Sequence, residues 1–208
     1  MTVGLGTGST AHFFIQKLGQ MVQQGLQIQG VPTSVETENK AHSWGIPILS
    51  IGEVKQIDIV VDGADEVDQN FQLIKGGGGA LYREKMVASL TKQMIVVAEA
   101  GKYVETLGQF PLPVEVVPFG HEVMMRRLSA IGLNPHLRMQ GDSPKPYRTD
   151  NGNYIFDCRV GRINHPAELH QRVKGMVGVV ETGLFIDTAT QVILAHPNGH
   201  VEVLAKQN

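Results

Sequence analysis

The sequence predicts an α/β fold in which a doubly wound, mostly parallel sheet carries a smaller inserted α+β domain. Short apolar runs alternate with helical patterns from the start of the chain to about residue 110. The run Ile57–Val61 is almost continuously apolar, as in strands that a parallel sheet buries on both faces. The pattern changes at Pro111–Pro113, where a differently ordered set of strands and helices begins.

The first half of the chain supplies the parallel sheet. Thr2–Leu5 is predicted as a strand that ends in the glycine-rich turn GTGST, and Ala11–Gln24 has its apolar residues at helical spacing. Strand–helix alternation at this spacing favours a Rossmann-like arrangement. The further predicted strands are Leu26–Val31, Ile46–Ile51, Ile57–Val61 and Met94–Ala98, and the further helices are Glu36–Trp44 and Leu81–Leu90.

The second half predicts a separate α+β domain. The turn DNGN, between apolar runs within Tyr147–Val160, is typical of a β-hairpin. Gln191–Ala195 and His200–Ala205 form a last strand pair that we expect to return to the first sheet. We predict an α/β catalytic domain over residues 1–111 and 184–208, and an inserted ferredoxin-like domain over residues 112–183. The other elements predicted there are strands Val114–Val117, Pro135–Met139 and Gly178–Leu184, and helices His121–Ile131 and Pro166–Met176.

The composition is that of an ordinary globular protein. The chain has 208 residues, 42% of them hydrophobic, with a net charge of -2. That charge gives no electrostatic footprint for nucleic acid or an anionic membrane surface. No apolar run approaches the roughly 20 residues of a spanning helix, so we expect neither nucleic-acid nor membrane partners. The single cysteine, Cys158, excludes an internal disulfide, fits a cytoplasmic location and is predicted to be buried and structural.

Three loops follow predicted strands of the parallel sheet. They are GTGST, PTSVET and the segment that starts at Asp62. Ligands of open α/β sheets bind beyond the carboxyl ends of the strands. We therefore expect these loops to open at one edge of the sheet.

The loop GTGST can bind a phosphate through glycine N–H groups, two hydroxyls and the start of a helix. An ordinary glycine turn with Ser9 or Thr10 as the N-cap explains the residues equally well. Ser9 stands where a dinucleotide fingerprint needs its third glycine, and no Gly-Lys-Ser/Thr closes the loop as in a P-loop.

The segment from Asp62 to Lys85 gathers charged residues around glycine. Asp62 and Asp65 can act in acid–base chemistry on hydroxyls, or form a solvated acidic turn. Lys75 precedes the four glycines Gly76–Gly79, which favours close approach of backbone to a ligand, with the ammonium stabilising an oxyanion. Taken alone, Glu84 is better explained as a surface carboxylate. Lys102, taken alone, is likewise better explained as a surface lysine.

Four segments together resemble ribose-5-phosphate isomerase of the A type. They are GLGTGST, DGADEVD, KGGGGALYREK and GKYVETLGQFPLPVEV. The pair DGADEVD and KGGGGALYREK is specific, and the resemblance extends along nearly the whole chain. It implies interconversion of ribose 5-phosphate and ribulose 5-phosphate in the pentose phosphate pathway, a sugar phosphate as the only partner, no metal or organic cofactor, and a homodimer or homotetramer.

The resemblance also implies a role for each candidate. Glu84 is the expected general base of an enediolate mechanism, and Lys75 with nearby glycine amides the expected oxyanion stabiliser. Asp62 and Asp65 are expected to bind hydroxyls and help open the sugar ring. Glu66 and Asp68 are expected at surface or loop positions. The implied substrate-binding residues are Thr7, Gly8, Ser9, Thr10, Asp62, Gly63, Ala64, Asp65, Lys75, Gly76, Gly77, Gly78 and Lys102.

The chain departs from the family pattern at its start. Family members usually have a helix before the first strand, with a lysine near the phosphate site, whereas this sequence opens in the strand itself. Either the chain is a truncated form, or phosphate affinity depends on Ser9, Thr10 and the Thr33–Thr37 loop. The alternative function is a non-catalytic sugar-phosphate-binding or regulatory module on the same fold. An amino-sugar phosphate deaminase is a weaker third possibility, since no histidine follows the acidic motif in a proton-relay position.

Overall fold

The structure, a computed structural model, describes residues 1–206 and has the predicted mixed α/β fold. The α-helices are α1 (Ser9–Gln23), α2 (Val35–Ser43), α3 (Leu81–Ala88), α4 (His121–Ala130) and α5 (Pro166–Lys174). The strands are β1 (Thr2–Leu5), β2 (Gln29–Pro32), β3 (Ile59–Gly63), β4 (Glu66–Val67), β5 (Leu73–Ile74), β6 (Met94–Glu99), β7 (Leu112–Val116), β8 (Pro135–Leu137), β9 (Tyr154–Cys158), β10 (Val179–Thr182), β11 (Leu184–Phe185), β12 (Gln191–Ala195) and β13 (Val201–Ala205).

The chain divides into two compact units. The first contains Met1–Ala64, Arg83–Tyr103 and the described chain from Asp187 onward. The second contains Asp65–Tyr82 and Val104–Ile186. The loops that carry the candidate residues are therefore distributed over both units.

The first unit is built on a six-stranded sheet in the order β13-β12-β6-β3-β1-β2. All neighbouring strands are parallel except the hairpin β12–β13. The carboxyl ends of β1, β2, β3 and β6 consequently lie at one edge. Helix α1 packs against β3 and α2, and its buried residues Ile15 and Leu18 join an apolar cluster that includes Val3 and Leu5 of β1.

The second unit contains two antiparallel sheets. Strands β7, β8, β9 and β10 alternate with α4 and α5 in the order β-α-β-β-α-β and form a sheet ordered β10-β7-β9-β8. This is a ferredoxin-like arrangement. Its apolar core contains Leu112, Val114, Leu128, Phe156 and Val173. A small sheet ordered β11-β5-β4 carries the loops on either side of Lys75.

Two strand predictions are wrong, each for a local reason. Ile46–Ile51 is not a strand: Ile48 makes only an isolated bridge, and a capping box closes a 3-10 turn at Ile51–Glu53. The hairpin predicted around DNGN is absent, because the Thr149 hydroxyl accepts N–H groups of Asn151 and Asn153 in a tight turn. Strand β9 pairs instead with β7 and β8.

The predicted strand Gly178–Leu184 is divided between two sheets. The break falls at Gly183, where a Cβ atom would lie 2.3 Å from the carbonyl oxygen of Lys75 and 2.7 Å from the Pro113 Cδ. Only glycine allows this approach. The chain therefore leaves β10 and enters β11 at this residue.

Candidate active site

A network of hydroxyl groups fixes the loop after β1. The Thr7 Oγ1 lies 2.7 Å from the Thr33 Oγ1, 2.9 Å from the Ser34 Oγ and 3.1 Å from the Thr37 Oγ1. The Thr33 hydroxyl donates to the Leu5 carbonyl. Thr33, Ser34 and Thr37 are buried. Two of the loops predicted at the edge of the sheet are thereby joined to each other.

The third loop, which starts at Asp62, contacts Thr7 through the Thr7 backbone N–H. The Thr7 N–H donates to the Asp62 Oδ1 at 3.1 Å, and the Gly63 N–H donates to the same oxygen at 2.7 Å. Asp62 is the penultimate residue of β3 and is only 1% exposed. A buried carboxylate requires such hydrogen bonds, because desolvation without them is costly. Ala64 follows and is also buried.

Helix α1 begins at the glycine loop, and no side chain among residues 1–206 caps its first N–H groups. Its N-cap is Gly8, with φ 106° and ψ -179°, a conformation essentially restricted to glycine. Ser9 is exposed and Thr10 half-buried in the first turn, and neither side chain caps the helix. A cavity of about 400 Å³ lies here, lined by Gly8, Ser9, His12, Phe13, Glu36 and Lys40. Such a helix start is suited to an anion.

Two further candidates belong to the first unit. Glu84 lies in the first turn of α3 and is 4% exposed, so the isolated interpretation as a surface carboxylate is wrong. Lys102 ends a 3-10 turn, Ala100–Lys102, directly after β6, and is half-buried. Its position follows the carboxyl end of a parallel strand, as predicted.

In the second unit, Asp65 holds the glycine loop. Its Oδ2 accepts the Gly77 N–H at 2.8 Å, and its own N–H donates to the Ile74 carbonyl at 2.8 Å. A Cβ atom on Gly77 would lie 2.7 Å from the Asp65 Oδ1. Gly76 and Gly79 have φ values of 104° and 83°, which favour glycine. The glycine run is thus required by backbone geometry and by close approach of a carboxylate.

Lys75 is held next to this loop and is only 2% exposed. Its N–H donates to the Gly183 carbonyl at 2.8 Å, and its Nζ lies 5.5 Å from the centroid of the Phe185 ring. Lysine is almost never fully buried unless it is paired. A buried ammonium beside bare glycine backbone suits a charge that acts on a bound anion.

Glu66 is buried within β4, so the prediction of a surface or loop position is wrong for it, whereas Asp68 lies in the loop after β4, as predicted, and is buried there. The two Glu66 carboxylate oxygens accept the N–H groups of Gly108 and Phe110, each at 2.6 Å. Burial raises the pKa of the Asp68 carboxyl, and hydrogen bonds from the Gln72 and Asn70 N–H groups lower it by a smaller amount. Both acids support the local fold, which their proximity to Asp65 in sequence does not reveal.

Two side chains that contact the glycine loop were not predicted from the sequence. Arg138 donates from one guanidinium nitrogen to the carbonyl oxygens of Gly76 and Gly77. The Tyr147 hydroxyl lies 2.3 Å from where a Gly79 Cβ atom would be. More than 60 residues separate Arg138 from Gly76, and no local pattern signals a contact at that separation.

The remaining predictions concern cysteine, metals and membranes. Cys158 is buried, as predicted, and burial with the nearby Asp157 charge raises the pKa of its thiol to about 12. Within residues 1–206, no cluster of three or more His, Cys, Asp or Glu side chains could hold a metal ion. No helix in that part of the chain is long and apolar enough to cross a membrane.

The model of the family ribose 5-phosphate isomerase A (phosphoriboisomerase A) matches residues 29–199. The chain belongs to the ribose 5-phosphate isomerase A family. A ribose-5-phosphate isomerase A of Bacillus mycoides is 50% identical over 200 residues, covering 96% of this chain and 90% of that protein. That of Listeria innocua is 48% identical over 206 residues, covering 99% and 92%.

Solved structures of the family agree with the fold. A D-ribose-5-phosphate isomerase in complex with phospho-erythronic acid matches with a TM-score of 0.95 at 40% identity, over 99% of this chain and 91% of that one. The Plasmodium falciparum ribose 5-phosphate isomerase matches with a TM-score of 0.95 at 35% identity, over 100% and 92%. Both the fold class and the family predicted from the sequence are confirmed.

Proposed function

We propose that this chain interconverts ribose 5-phosphate and ribulose 5-phosphate through an enediolate, as an aldose–ketose isomerase of the pentose phosphate pathway. One observation carries the proposal: Lys75 and Glu84, which flank the glycine run in sequence, are both buried at 2% and 4% exposure. Burial of a lysine and of a glutamate on either side of one glycine run suits a site that acts on a bound anion and on its protons. The alternative, a non-catalytic binding or regulatory module, is not favoured, because relatives that match nearly end to end are isomerases.

We assign the proton transfer to Glu84. In the proposed reaction its carboxylate takes the proton from C2 of the open-chain aldose and returns it to C1. The hydroxyl proton of O2 leaves as the carbonyl forms at C2, while O1 gains a proton. Charge develops on oxygen in the enediolate, and Lys75 with the amides of Gly76–Gly78 stabilises it. No step requires a cofactor.

We assign substrate binding to the remaining candidates. Asp62 and Asp65, with the adjoining Gly63 and Ala64, bind hydroxyls and help open the ring. Thr7–Thr10 and Lys102 hold the substrate, with the phosphate at the start of α1. The free N–H groups of the first turn and the cavity beside Gly8 and Ser9 support this assignment.

Replacement of Glu84 by glutamine tests the function. We expect Glu84→Gln to lower kcat by about 10²–10⁴-fold while changing the Kd for ribose 5-phosphate little, because a general base acts on the proton and not on binding. Glu168→Gln is the matched control: it removes an exposed carboxylate from the first turn of α5. If Glu84→Gln turns over substrate as fast as the wild type, Glu84 is not the base. If the wild-type protein itself binds ribose 5-phosphate but does not turn it over, the non-catalytic module is favoured instead.

We also propose a homodimer or homotetramer in the cytoplasm and residues 112–183 as an inserted domain. Exposed apolar side chains at Phe119, Val123 and Met125 support assembly. The complete β-α-β-β-α-β order within 112–183 supports an inserted domain there, although the second compact unit also includes Asp65–Tyr82 and Val104–Pro111. Sedimentation of only a monomer would refute the assembly, and an isolated 112–183 fragment that fails to fold would refute the limits.

A further inference from the structure

Arg138 holds two successive carbonyl groups of the glycine loop. It follows β8, and its Nη1 donates to the carbonyl oxygen of Gly76 at 3.1 Å and to that of Gly77 at 3.0 Å. Its side chain is 15% exposed, so the contact lies within the folded unit.

The guanidinium group is itself fixed. Its Nε donates to the Asp157 Oδ2 at 2.9 Å and its Nη2 to the Asp157 Oδ1 at 2.5 Å. Such a two-point pair sets both the position and the plane of the guanidinium. Asp157 belongs to β9, a central strand of its sheet, so Arg138 connects the glycine loop to a rigid part of the unit.

The planarity of the peptide bond transmits this constraint to the amides. In a trans peptide the C=O and the following N–H point in opposite directions. The Gly76–Gly77 peptide is held at both ends, by Arg138 at the carbonyl and by Asp65 at the N–H. The Gly77–Gly78 peptide is held at its carbonyl alone, and among residues 1–206 the Gly78 N–H has no hydrogen-bond acceptor.

We propose that Arg138, anchored by Asp157, is a positioning residue that keeps the Gly78 N–H directed at the substrate oxygen on which charge develops. The inference rests on the proposed function and deepens it. Arg138 touches no reacting atom; it acts through the peptide plane between Gly77 and Gly78. Without it, the Gly79 N–H bond to the Gly76 carbonyl, which closes the turn around that peptide, is the remaining restraint. The plane can then tilt, and the amide stabilises the enediolate less.

The test is Arg138→Gln, measured by steady-state kinetics and by binding. We expect kcat to fall by about tenfold with little change in KM, less than the 10²–10³-fold that removal of an oxyanion donor costs, because the amide is misdirected and not removed. The Kd for phospho-erythronic acid, whose carboxylate resembles the charged enediolate, rises by a similar factor, while the Kd for ribose 5-phosphate changes little.

Three further variants separate positioning from general loss of structure. Arg148→Gln removes an exposed arginine that donates to the Gly152 carbonyl in the same unit, and it should retain wild-type kcat. Arg138→Lys keeps the charge without the two-point pair and should recover only part of kcat. Arg138→Gln with Asp157→Asn removes the unpaired carboxylate: if kcat stays low the positioning role holds, and if kcat recovers it is overturned.

The failure of this inference differs from failure of the proposed function. Wild-type protein without turnover would refute the isomerase, and the phospho-erythronic acid affinities of wild type and Arg138→Gln would still decide the role of Arg138. Active wild type with unchanged kcat and unchanged analogue affinity in Arg138→Gln would overturn the inference alone.

Discussion

Replacing Gly6 by alanine is expected to displace Asp62 from its position at the end of β3. A Cβ atom on Gly6 would lie 2.2 Å from the Asp62 Oδ1 and 2.6 Å from its Cα. Real Cβ contacts essentially never fall below 3.0 Å. The carboxylate must therefore move by about 0.8 Å, and because the backbone Cα is also too close, rotation of the side chain alone cannot relieve the contact.

The magnitude follows from this displacement. Forcing extra volume into a packed site costs about 1–3 kcal/mol. A loss of about 2 kcal/mol lowers the Tm of a chain of this length by about 4–8 °C. A shift near 1 Å in a catalytic group can lower the rate by about 10²-fold, and we expect kcat/KM of Gly6→Ala to fall by about that factor.

Two glycine variants serve as controls for the thermal unfolding and isomerase assays. Gly8→Ala introduces backbone strain of about 1–3 kcal/mol at φ 106°, with nothing within 4 Å of the new Cβ atom. It should raise KM, since Gly8 starts α1, without the fall in kcat. Gly52→Ala adds neither strain nor a close contact, as the nearest atom is 3.9 Å away. Wild-type kcat in a destabilised Gly6→Ala protein would refute the positioning of Asp62 by Gly6.

Two other predictions concern buried polar groups. Thr37→Val removes the hydroxyl that donates to the Gly6 carbonyl and contacts Thr7 and Ser34. We expect the free energy of unfolding in urea to fall by about 1–3 kcal/mol and kcat to fall with it. The control Thr37→Ser keeps the hydroxyl and should retain both. For Cys158, the folded thiol with pKa about 12 keeps its proton while the unfolded thiol ionises above its ordinary pKa of 9.0. Stability is therefore lost as pH rises from about 9 to about 12. In urea unfolding, the wild type should lose about 2 kcal/mol relative to Cys158→Ala between pH 8 and 10.5. Equal losses in the two proteins would contradict the raised pKa of the folded thiol.

The edge of the parallel sheet could be predicted because it depends only on strand direction. Thr2–Leu5 and Ile57–Val61 are predicted as parallel strands, which places GTGST and Asp62 at their carboxyl ends. The structure shows this directly, with the Thr7 N–H donating to Asp62. Local patterns determine strand identity, and strand identity places the loops.

Contacts between distant segments could not be predicted in the same way. Glu66 and Asp65 are adjacent acids, yet Glu66 accepts N–H groups of Gly108 and Phe110, more than 40 residues away, while Asp65 accepts that of Gly77. Which acid faces which segment is set by the pairing of β4 with β5, and two-residue strands leave no periodic signal. The burial of Glu84 could not be predicted either, because its neighbours Arg83 and Lys85 give the start of the helix the charged composition of an exposed segment.

The glycine run is better understood as a rigid element than as a flexible loop. Four glycines increase the conformational entropy of the unfolded chain, so ordering them has an unusual cost. Three of them have a distinct structural reason: Gly76 and Gly79 adopt positive φ, and Gly77 lies against the Asp65 carboxylate. Hydrogen bonds from Arg138 and to Asp65 then fix the peptide planes between them. Amides fixed before substrate arrives need no reorganisation when charge develops, which is the condition under which backbone donors stabilise an oxyanion most.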